Sequence, residues 1–254
     1  MNQKRSFLTV LLMVSIIMSG CGPFTKQIST MTAPAASYFE QGNNHVAIHQ
    51  YEQAIEDYSQ AIQIDPQNSD AYNSRGAAYH FLDQYEQAIA DFTQAIQINP
   101  QNVDAYDNRG AAYNALGQYE QAIEDYSHVI QINPQNPVAY YNRGVTYYAL
   151  GYYEQATKDY TQAIQINPLY SDAYVNRGII YATLGQYEQA IADLTQAIQI
   201  NPQFAANAYY NRGLIYDIIG QYEQAEADYR NALDFCGGDQ DICQLAQEGL
   251  GKLP

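Results

Sequence analysis

Residues 69–102, SDAYNSRGAAYHFLDQYEQAIADFTQAIQINPQN, recur in similar form about every 34 residues along most of the chain. Three markers keep the same phase in successive copies: an Arg-Gly pair, a Tyr-Glu-Gln-Ala word and a proline. The pairs begin at Arg75, Arg109, Arg143, Arg177 and Arg212, the words at Tyr51, Tyr85, Tyr119, Tyr153, Tyr187 and Tyr222, and the prolines are Pro66, Pro100, Pro134, Pro168 and Pro202. Three markers in phase over so long a stretch indicate internal repeats, each folding as one supersecondary unit.

Each copy contains the pattern of two amphipathic helices. Tyr72, Gly76 and Tyr79 have the i, i+4, i+7 spacing of one helical face, and Ser69 or Asp70 is the expected N-cap. A second apolar stripe is formed by Tyr85, Ala88, Ile89, Phe92, Ala95 and Ile96. The proline then ends this second helix, because the residue before a proline is forced out of the helical region.

This pattern resembles the tetratricopeptide repeat, whose markers fall in the third copy on Tyr106, Gly110, Tyr113, Ala122, Tyr126, Val129 and Pro134. The resemblance implies an all-α fold, a right-handed α-solenoid of six helix-turn-helix repeats with a C-terminal capping helix. The expected repeats are residues 35–68, 69–102, 103–136, 137–170, 171–204 and 206–239, and the capping helix is 240–254. One departure is Leu194, which replaces an aromatic residue in the fifth repeat.

Composition narrows the possible functions. The chain has 254 residues, 47% of them apolar, and 27 acidic against 11 basic residues give a net charge of -16. Nucleic-acid binding depends on Lys and Arg side chains that contact phosphates. A chain with this excess of acidic residues is therefore a poor candidate for a nucleic-acid-binding protein. The sequence shows no glycine-rich phosphate loop, nucleophile elbow or zinc signature. We therefore expect no catalytic residues, no cofactor, no small-molecule substrate and no metal; His45 and His49 are read as polar substitutions in the degenerate first repeat.

The N-terminal residues have the pattern of an export signal. Lys4 and Arg5 precede an apolar run at 7–19, which is too short to cross a bilayer as a helix. The following Met18-Ser19-Gly20-Cys21 resembles the lipobox of bacterial lipoproteins. A plain secretory signal with an incidental cysteine is the alternative.

The lipobox resemblance implies a signal peptide at 1–20 and a lipidated Cys21 as the mature N-terminus. Residues 21–34 are expected to form a flexible tether, since they hold few large apolar residues. The protein would then be anchored to a bacterial envelope membrane, with the periplasmic face of the outer membrane slightly favoured over the inner membrane.

Two cysteines near the C-terminus, Cys236 and Cys243, are predicted to form a disulfide, since paired cysteines are common in exported domains. Continuous helix would hold their Cα atoms about 10 Å apart, which is too far for a disulfide. The intervening Gly237-Gly238 suggests a turn that brings them together. The bond would fasten the capping helix to the last repeat.

The repeated arginines have repeated acidic counterparts six residues after each Tyr-Glu-Gln-Ala tyrosine. These are Asp57, Asp91, Asp125, Asp159, Asp193 and Asp228. Regularity on both sides predicts Arg–Asp pairs within or between neighbouring repeats. The alternative is a row of arginines that binds carboxylates of a ligand.

The candidate binding residues lie on the first helix of each repeat, which lines the concave surface in the resembled family. A row of asparagines, with Ser74 at the same place in the second repeat, resembles the asparagine ladder of a glycosyltransferase with tetratricopeptide repeats, in which side-chain amides hold a peptide backbone. The predicted partner-binding residues are Asn73, Asp107, Asn108, Tyr141, Asn142, Tyr148, Asn176, Tyr210 and Asn211. Alternatively, asparagine is merely tolerated there. Nearby carboxylates at Asp70, Asp104, Asp107 and Asp172 would favour basic or neutral ligands.

Together these patterns predict a membrane-anchored scaffold that binds partner proteins or extended peptides on the concave surface, in an envelope assembly or secretion complex. The alternative is a periplasmic holdase, a chaperone that binds many unfolded clients. A helper of a hydrolase with its own catalytic carboxylate is a third possibility, which no residue singles out.

Overall fold

The computed structural model describes residues 32–237 and 239–254. The predicted signal peptide, the predicted lipidation site Cys21 and most of the predicted tether lie outside these residues. The described residues form thirteen α-helices and no strand, which confirms the all-α fold class. None of these helices combines the length and the apolar character needed to span a bilayer. The described residues divide into two compact units, with residues 32–150 in unit one and residues 151–237 and 239–254 in unit two.

Unit one contains seven helices in which each packs against the next. They are α1 (Ala33–Ala47), α2 (Tyr51–Ile64), α3 (Ser69–Phe81), α4 (Tyr85–Ile98), α5 (Val103–Ala115), α6 (Tyr119–Ile132) and α7 (Pro137–Ala149). Helix α1 begins at Ala33, two residues before the predicted start of the first repeat. Pro34 lies in its first turn, where the missing N–H of proline is tolerated.

Unit two contains six α-helices and one short 3₁₀ turn. They are α8 (Tyr153–Ile166), α9 (Ser171–Thr183), α10 (Tyr187–Ile200), the 3₁₀ turn Pro202–Phe204, α11 (Ala206–Ile218), α12 (Tyr222–Phe235) and α13 (Gln240–Lys252). The 3₁₀ turn accommodates the one extra residue before the last repeat. Helix α13 packs on α12 and α11, as a capping helix should.

The first helices of three repeats in unit one begin at an asparagine cap. The side chains of Asn68, Asn102 and Asn136 accept hydrogen bonds from backbone N–H groups three residues on, at 2.9, 3.1 and 3.3 Å. The predicted cap at Ser69 or Asp70 was therefore wrong by one or two residues. The Ser69 hydroxyl instead donates to the carbonyl of Ala95, at 3.0 Å, in the second helix of its own repeat.

The two helices of a repeat approach closely because glycine faces an aromatic ring. A Cβ atom on Gly76 would lie 2.7 Å from the ring of Phe92, and one on Gly110 would lie 2.9 Å from the ring of Tyr126. Both rings are fully buried. Any larger residue at the glycine would have to displace the buried ring, so the glycine sets the spacing of the two helices. The arginine before it forms the ion pair described below.

Candidate functional site

In four repeats, an arginine of the first helix joins the second helix of its own repeat to that of the preceding repeat. Arg109 makes a two-pronged ion pair with Asp125 of its own repeat, at 2.8 Å from Nε and 2.7 Å from Nη2. Its Nη1 donates to the Thr93 hydroxyl of the preceding repeat at 3.0 Å. The rings of Tyr106 and Tyr113 lie 5.8 Å from the guanidinium carbon, within cation–π range. The arginine therefore sets the register between neighbouring repeats.

The same arrangement recurs in three other repeats. The groups are Arg75 with Asp91 and Ser59, Arg177 with Asp193 and Thr161, and Arg212 with Asp228 and Thr195. The predicted Arg–Asp pairing is confirmed for these four repeats, and their guanidinium groups are already bound within the protein. The ion pair with Asp91 raises the pKa of Arg75.

Sequence reasoning missed the hydroxyl partner of each arginine. The signal was present, since Ser or Thr stands at the same place in five consecutive repeats, at Ser59, Thr93, Ser127, Thr161 and Thr195. The last repeat carries Arg230 there, and Gln41 of the first repeat stands where later repeats have arginine. Both exceptions occur where a neighbouring repeat is missing, so the two ends are adapted as caps.

The first helices of unit one carry a polar surface that we call the first-helix face of unit one. Its members are Asp70, Asn73, Asp104, Asp107, Asn108 and Asn142. The Asn108 amide donates to the Asn73 oxygen at 3.1 Å, and the Asn142 amide donates to an Asp107 oxygen at 3.2 Å. These bonds join the first helices of successive repeats into a continuous row.

The three carboxylates of this face are held in an environment that disfavours their charge. Burial raises the pKa of Asp107 to about 6; the hydrogen bond from Asn142 opposes that shift and the negative charge of Asp104 adds to it. Burial and the charge of Asp70 raise the pKa of Asp104, and burial raises that of Asp70. Among the described residues, no Lys or Arg forms an ion pair with any of the three.

The structure places the other predicted residues of unit one with different exposures. Asn108 is buried, and its amide donates to Asn73, so this side chain has a structural role between neighbouring repeats. Tyr141 is largely buried and Tyr148 half-buried on α7. Asn142 and Asp107 are half-buried at the surface. Their binding role stays a prediction, and Asn142 and Asp107 are the best placed to carry it.

Two further polar residues of this region were missed from sequence. The amide of Asn114 donates to the Thr146 hydroxyl at 2.9 Å, and that hydroxyl lies 2.9 Å from the Asn142 carbonyl oxygen. Thr146 is fully buried. Because neither residue recurs with the repeat, periodicity gave no sign of this link between α5 and α7.

Unit two carries its own first-helix face on α9 and α11, defined by Asp172, Asn176, Ile179, Asn211, Leu214 and Ile218. The predicted Asn176 is half-buried there. The Asn211 amide donates to the Asn207 carbonyl at 2.8 Å and also contacts its side chain. The ring of Tyr210 packs 6.0 Å from that of Tyr229, and burial together with the charge of Glu248 raises its pKa.

Comparison with protein families agrees with this arrangement. A family model described as tetratricopeptide repeat matches residues 69–102, 137–170, 171–204 and 206–238, and another of that description matches 92–124. A third, described as TPR repeat, matches residues 37–83 and 110–151. The chain belongs to the tetratricopeptide repeat family. Such repeats form scaffolds for protein or peptide interaction, which is the class of function that the fold supports.

Solved structures with similar tetratricopeptide folds include the MamA protein, at 26% identity over 65% of this chain and 90% of that chain, with a TM-score of 0.59. YrrB, described as a TPR protein with an unusual peptide-binding site, has 19% identity, 75% and 97% coverage and a TM-score of 0.59. Pseudomonas aeruginosa pilF has 16% identity, 85% and 97% coverage and a TM-score of 0.71. A sequence comparison with curated proteins gives no significant match.

The last tetratricopeptide repeat is fastened to its cap covalently. Cys236 and Cys243 form a disulfide with their Cα atoms 5.7 Å apart. Asp239 caps α13 by accepting from the N–H groups of Asp241 and Ile242, both at 3.2 Å. The pairing predicted from the cysteine spacing therefore has compatible backbone geometry.

The histidine pair of the first tetratricopeptide repeat does not assemble a metal site. His45 lies 2.7 Å from Asp57, whereas His49 contacts the Tyr51 hydroxyl at 2.8 Å. Within residues 32–237 and 239–254, no group of three or more potential ligands could hold a metal ion.

Asp107 should make the stability of the protein depend on pH. Its folded pKa lies above the ordinary value of 3.8, so its stabilising contribution is present below about pH 4 and is lost as pH rises towards about 6. We expect Asp107→Asn to be more stable than wild type by about 1 to 2 kcal/mol at pH 7.5, allowing for solvent screening. The difference should vanish near pH 4 in urea unfolding.

The exposed Glu124→Gln variant is the control for Asp107→Asn, because it removes one carboxylate of unit one from outside the first-helix face. It should change stability little at either pH. Equal stability of Asp107→Asn and wild type at pH 7.5 would contradict the raised pKa.

Proposed function

We propose that the protein is a membrane-anchored scaffold that holds an extended segment of a partner protein on its first-helix faces. The observation that carries this proposal is the unbalanced charge of unit one. Asp104 interacts electrostatically with both Asp70 and Asp107, and none of the three has an ion-pair partner among the described residues. Arg75 and Arg109, in contrast, are already bound to internal aspartates. Such a surface favours a segment that brings basic or neutral groups.

The asparagine amides suit the backbone of such a segment. An amide group has two N–H donors and an oxygen acceptor. Asn142 gives one N–H to Asp107, so its chemistry leaves a second donor and the oxygen to pair with a peptide unit. Pairing of this kind holds a backbone in register without reading its side chains.

The sequence at 18–21 supports the anchored part of the proposal. A lipid on Cys21 would hold the protein at an envelope membrane, since several acyl chains give stable binding at about 0.8 kcal/mol per buried CH₂. The scaffold would then recruit partners to an assembly or secretion complex at that membrane. Location would come from the lipid and selectivity from the repeats.

A holdase is the second candidate, and the exposed apolar side chains of unit two favour it. Leu169 is 72% exposed, Leu184 52% and Ile218 43%. Unfolded clients could contact such residues without sequence preference. A scaffold should instead copurify with few partners at a fixed ratio.

Crosslinking in intact cells followed by mass spectrometry tests the proposal. Wild type is compared with Asn142→Ala/Tyr141→Ala and with the control Gln121→Ala/Glu124→Ala, whose residues are exposed on the second helix α6. We expect a small partner set that disappears only in the first variant. Crosslinks to many different proteins would favour the holdase. If the first variant still crosslinks to the same partners as wild type, the binding site does not lie on the first-helix face.

A further inference from the structure

Four large apolar side chains of unit two are exposed at the turns that connect first helices to second helices. Leu184 and Ile219, directly after α9 and α11, are 52% and 38% exposed. Tyr152, directly before α8, is 50% exposed, and Tyr222, the first residue of α12, is 46% exposed. We call these four residues the turn edge of unit two. Groups of exposed apolar residues of this kind mark surfaces that bind other molecules.

The two tyrosines of the turn edge are not explained by the common repeat. Tyr152 replaces a glutamine that stands directly before the second helix in the other repeats, at Gln50, Gln84, Gln118, Gln186 and Gln221. Tyr222 lacks a cover that its counterpart has. In the first repeat, the ring of Phe81 from the following repeat stacks on Tyr51, with ring centroids 4.8 Å apart. Helix α13 follows α12 and packs on it, but leaves Tyr222 exposed.

The spacing of the turn edge fits a helix better than a strand. Helices α9 and α11 pack against each other. Leu184 and Ile219 follow their C-terminal ends and therefore lie about 10 Å apart, which is the usual spacing of packed helices. Side chains seven residues apart on an α-helix share a face and are separated by about 10.5 Å. Alternate side chains on one face of a strand are only about 6.6 Å apart, which does not match.

The charge around the turn edge is negative. Glu154, Glu188 and Glu223 are exposed in the first turns of α8, α10 and α12. The partial charges of the helix ends largely cancel, because N-termini of second helices and C-termini of first helices meet at this edge. Of the five basic residues of unit two, Lys158 lies one turn further along α8, and four are in ion pairs with acidic residues, namely Arg177, Arg212, Arg230 and Lys252. A partner with Lys or Arg is therefore favoured.

We propose that the turn edge of unit two binds an amphipathic helix of a partner protein, with apolar side chains seven residues apart and Lys or Arg beside them. Successive apolar side chains would contact successive turns of the solenoid. The acidic residues disfavour a second copy of this chain, whose net charge is -16, and an anionic lipid surface. This surface is separate from the first-helix faces, so the protein could hold a helix here and an extended segment there.

The test uses the full chain in nanodiscs of phosphatidylcholine and a fluorescent helical peptide of about twenty residues, with leucine at every seventh position and lysine beside each leucine. Tyr152→Gln restores the residue of the other repeats, so the fold should tolerate it. Tyr152→Gln/Leu184→Ser removes two of the four apolar side chains. The matched control is Leu169→Gln, which restores the glutamine of the other turns between repeats at a residue that is 72% exposed, at the opposite end of the helices.

We expect the peptide to bind wild type and Leu169→Gln equally, Tyr152→Gln more weakly, and the double variant about 10- to 100-fold more weakly than wild type. A peptide with glutamate in place of lysine, and a peptide of the same composition with leucines at alternate positions, should each bind wild type at least about 10-fold more weakly. Equal binding of the lysine peptide to wild type and the double variant would overturn the proposal. It would leave the proposed function standing, because the first-helix faces are unchanged in that variant.

Light scattering and vesicle flotation test the two other occupants of the turn edge. Wild type should have the same mass as Tyr152→Gln/Leu184→Ser, and Cys21→Ala should not bind phosphatidylcholine vesicles through this edge. A dimer that dissociates in the double variant would assign the turn edge to a second copy and overturn the proposal. Vesicles that bind Cys21→Ala but lose it when Tyr152 and Leu184 are also replaced would assign the edge to lipid and overturn it equally.

Discussion

Replacement of Asp125 by alanine will lower the free energy of unfolding by about 3 to 5 kcal/mol, because it leaves the half-buried Arg109 without its counter-charge. Asp125 is 2% exposed, and both of its oxygens accept from the guanidinium. The Thr93 hydroxyl would be the remaining hydrogen-bond partner of Arg109 from this set. Urea unfolding followed by circular dichroism measures the loss.

The controls separate the stranded charge from the loss of any carboxylate. Glu124→Ala changes the adjacent, exposed residue of α6 and should shift stability by less than about 0.5 kcal/mol. The double variant Arg109→Met/Asp125→Leu should recover much of the loss, since an apolar pair of similar volume often replaces a buried ion pair without penalty. A double variant as unstable as Asp125→Ala would show that the ion pair stabilises through more than charge compensation.

Replacement of Cys21 by alanine will abolish lipid labelling and move the protein from the membrane pellet to the soluble fraction. The proposed acyl chains on Cys21 would supply the attachment, because the apolar run at 7–19 is too short to cross a bilayer as a helix. Metabolic labelling with palmitate and fractionation of cells measure the two effects. The predicted change is nearly complete.

The control for Cys21→Ala is Cys236→Ser/Cys243→Ser, which removes the other two cysteines of the chain. It should keep both the label and the membrane association. Continued palmitate incorporation into Cys21→Ala would refute the lipoprotein interpretation.

The repeat period predicted the fold because each copy places the same residue types at the helix contacts. The packing of Gly76 against Phe92 follows from residue size, and the proline after five of the second helices restricts the backbone there, so the spacing alone locates the helices. The Arg109–Asp125 pair was also predictable, since both residues recur in phase. The cap at Asn68 was misassigned because Ser69 is an equally good cap, and only the structure shows its hydroxyl bound to Ala95.

The candidate site was less predictable. The recurrence of asparagine drew attention to Asn108. Its burial and its hydrogen bond to Asn73 depend on how closely neighbouring first helices approach, which the repeat period does not reveal. Leu194 was visible in the sequence as a departure, but only the structure shows that it is fully buried beside Gly178, where other repeats pack an aromatic ring. Recurrent features describe the scaffold, and the departures from recurrence give each unit its particular surface.

The measurement that tests the central claim most directly is site-specific photo-crosslinking in intact cells. A photoreactive amino acid replaces either Asp104, exposed on the first-helix face of unit one, or Glu120, exposed on the second helix of the same repeat. The account predicts a discrete crosslinked partner band from position 104 and none from position 120. A band from position 120, with none from position 104, would contradict it.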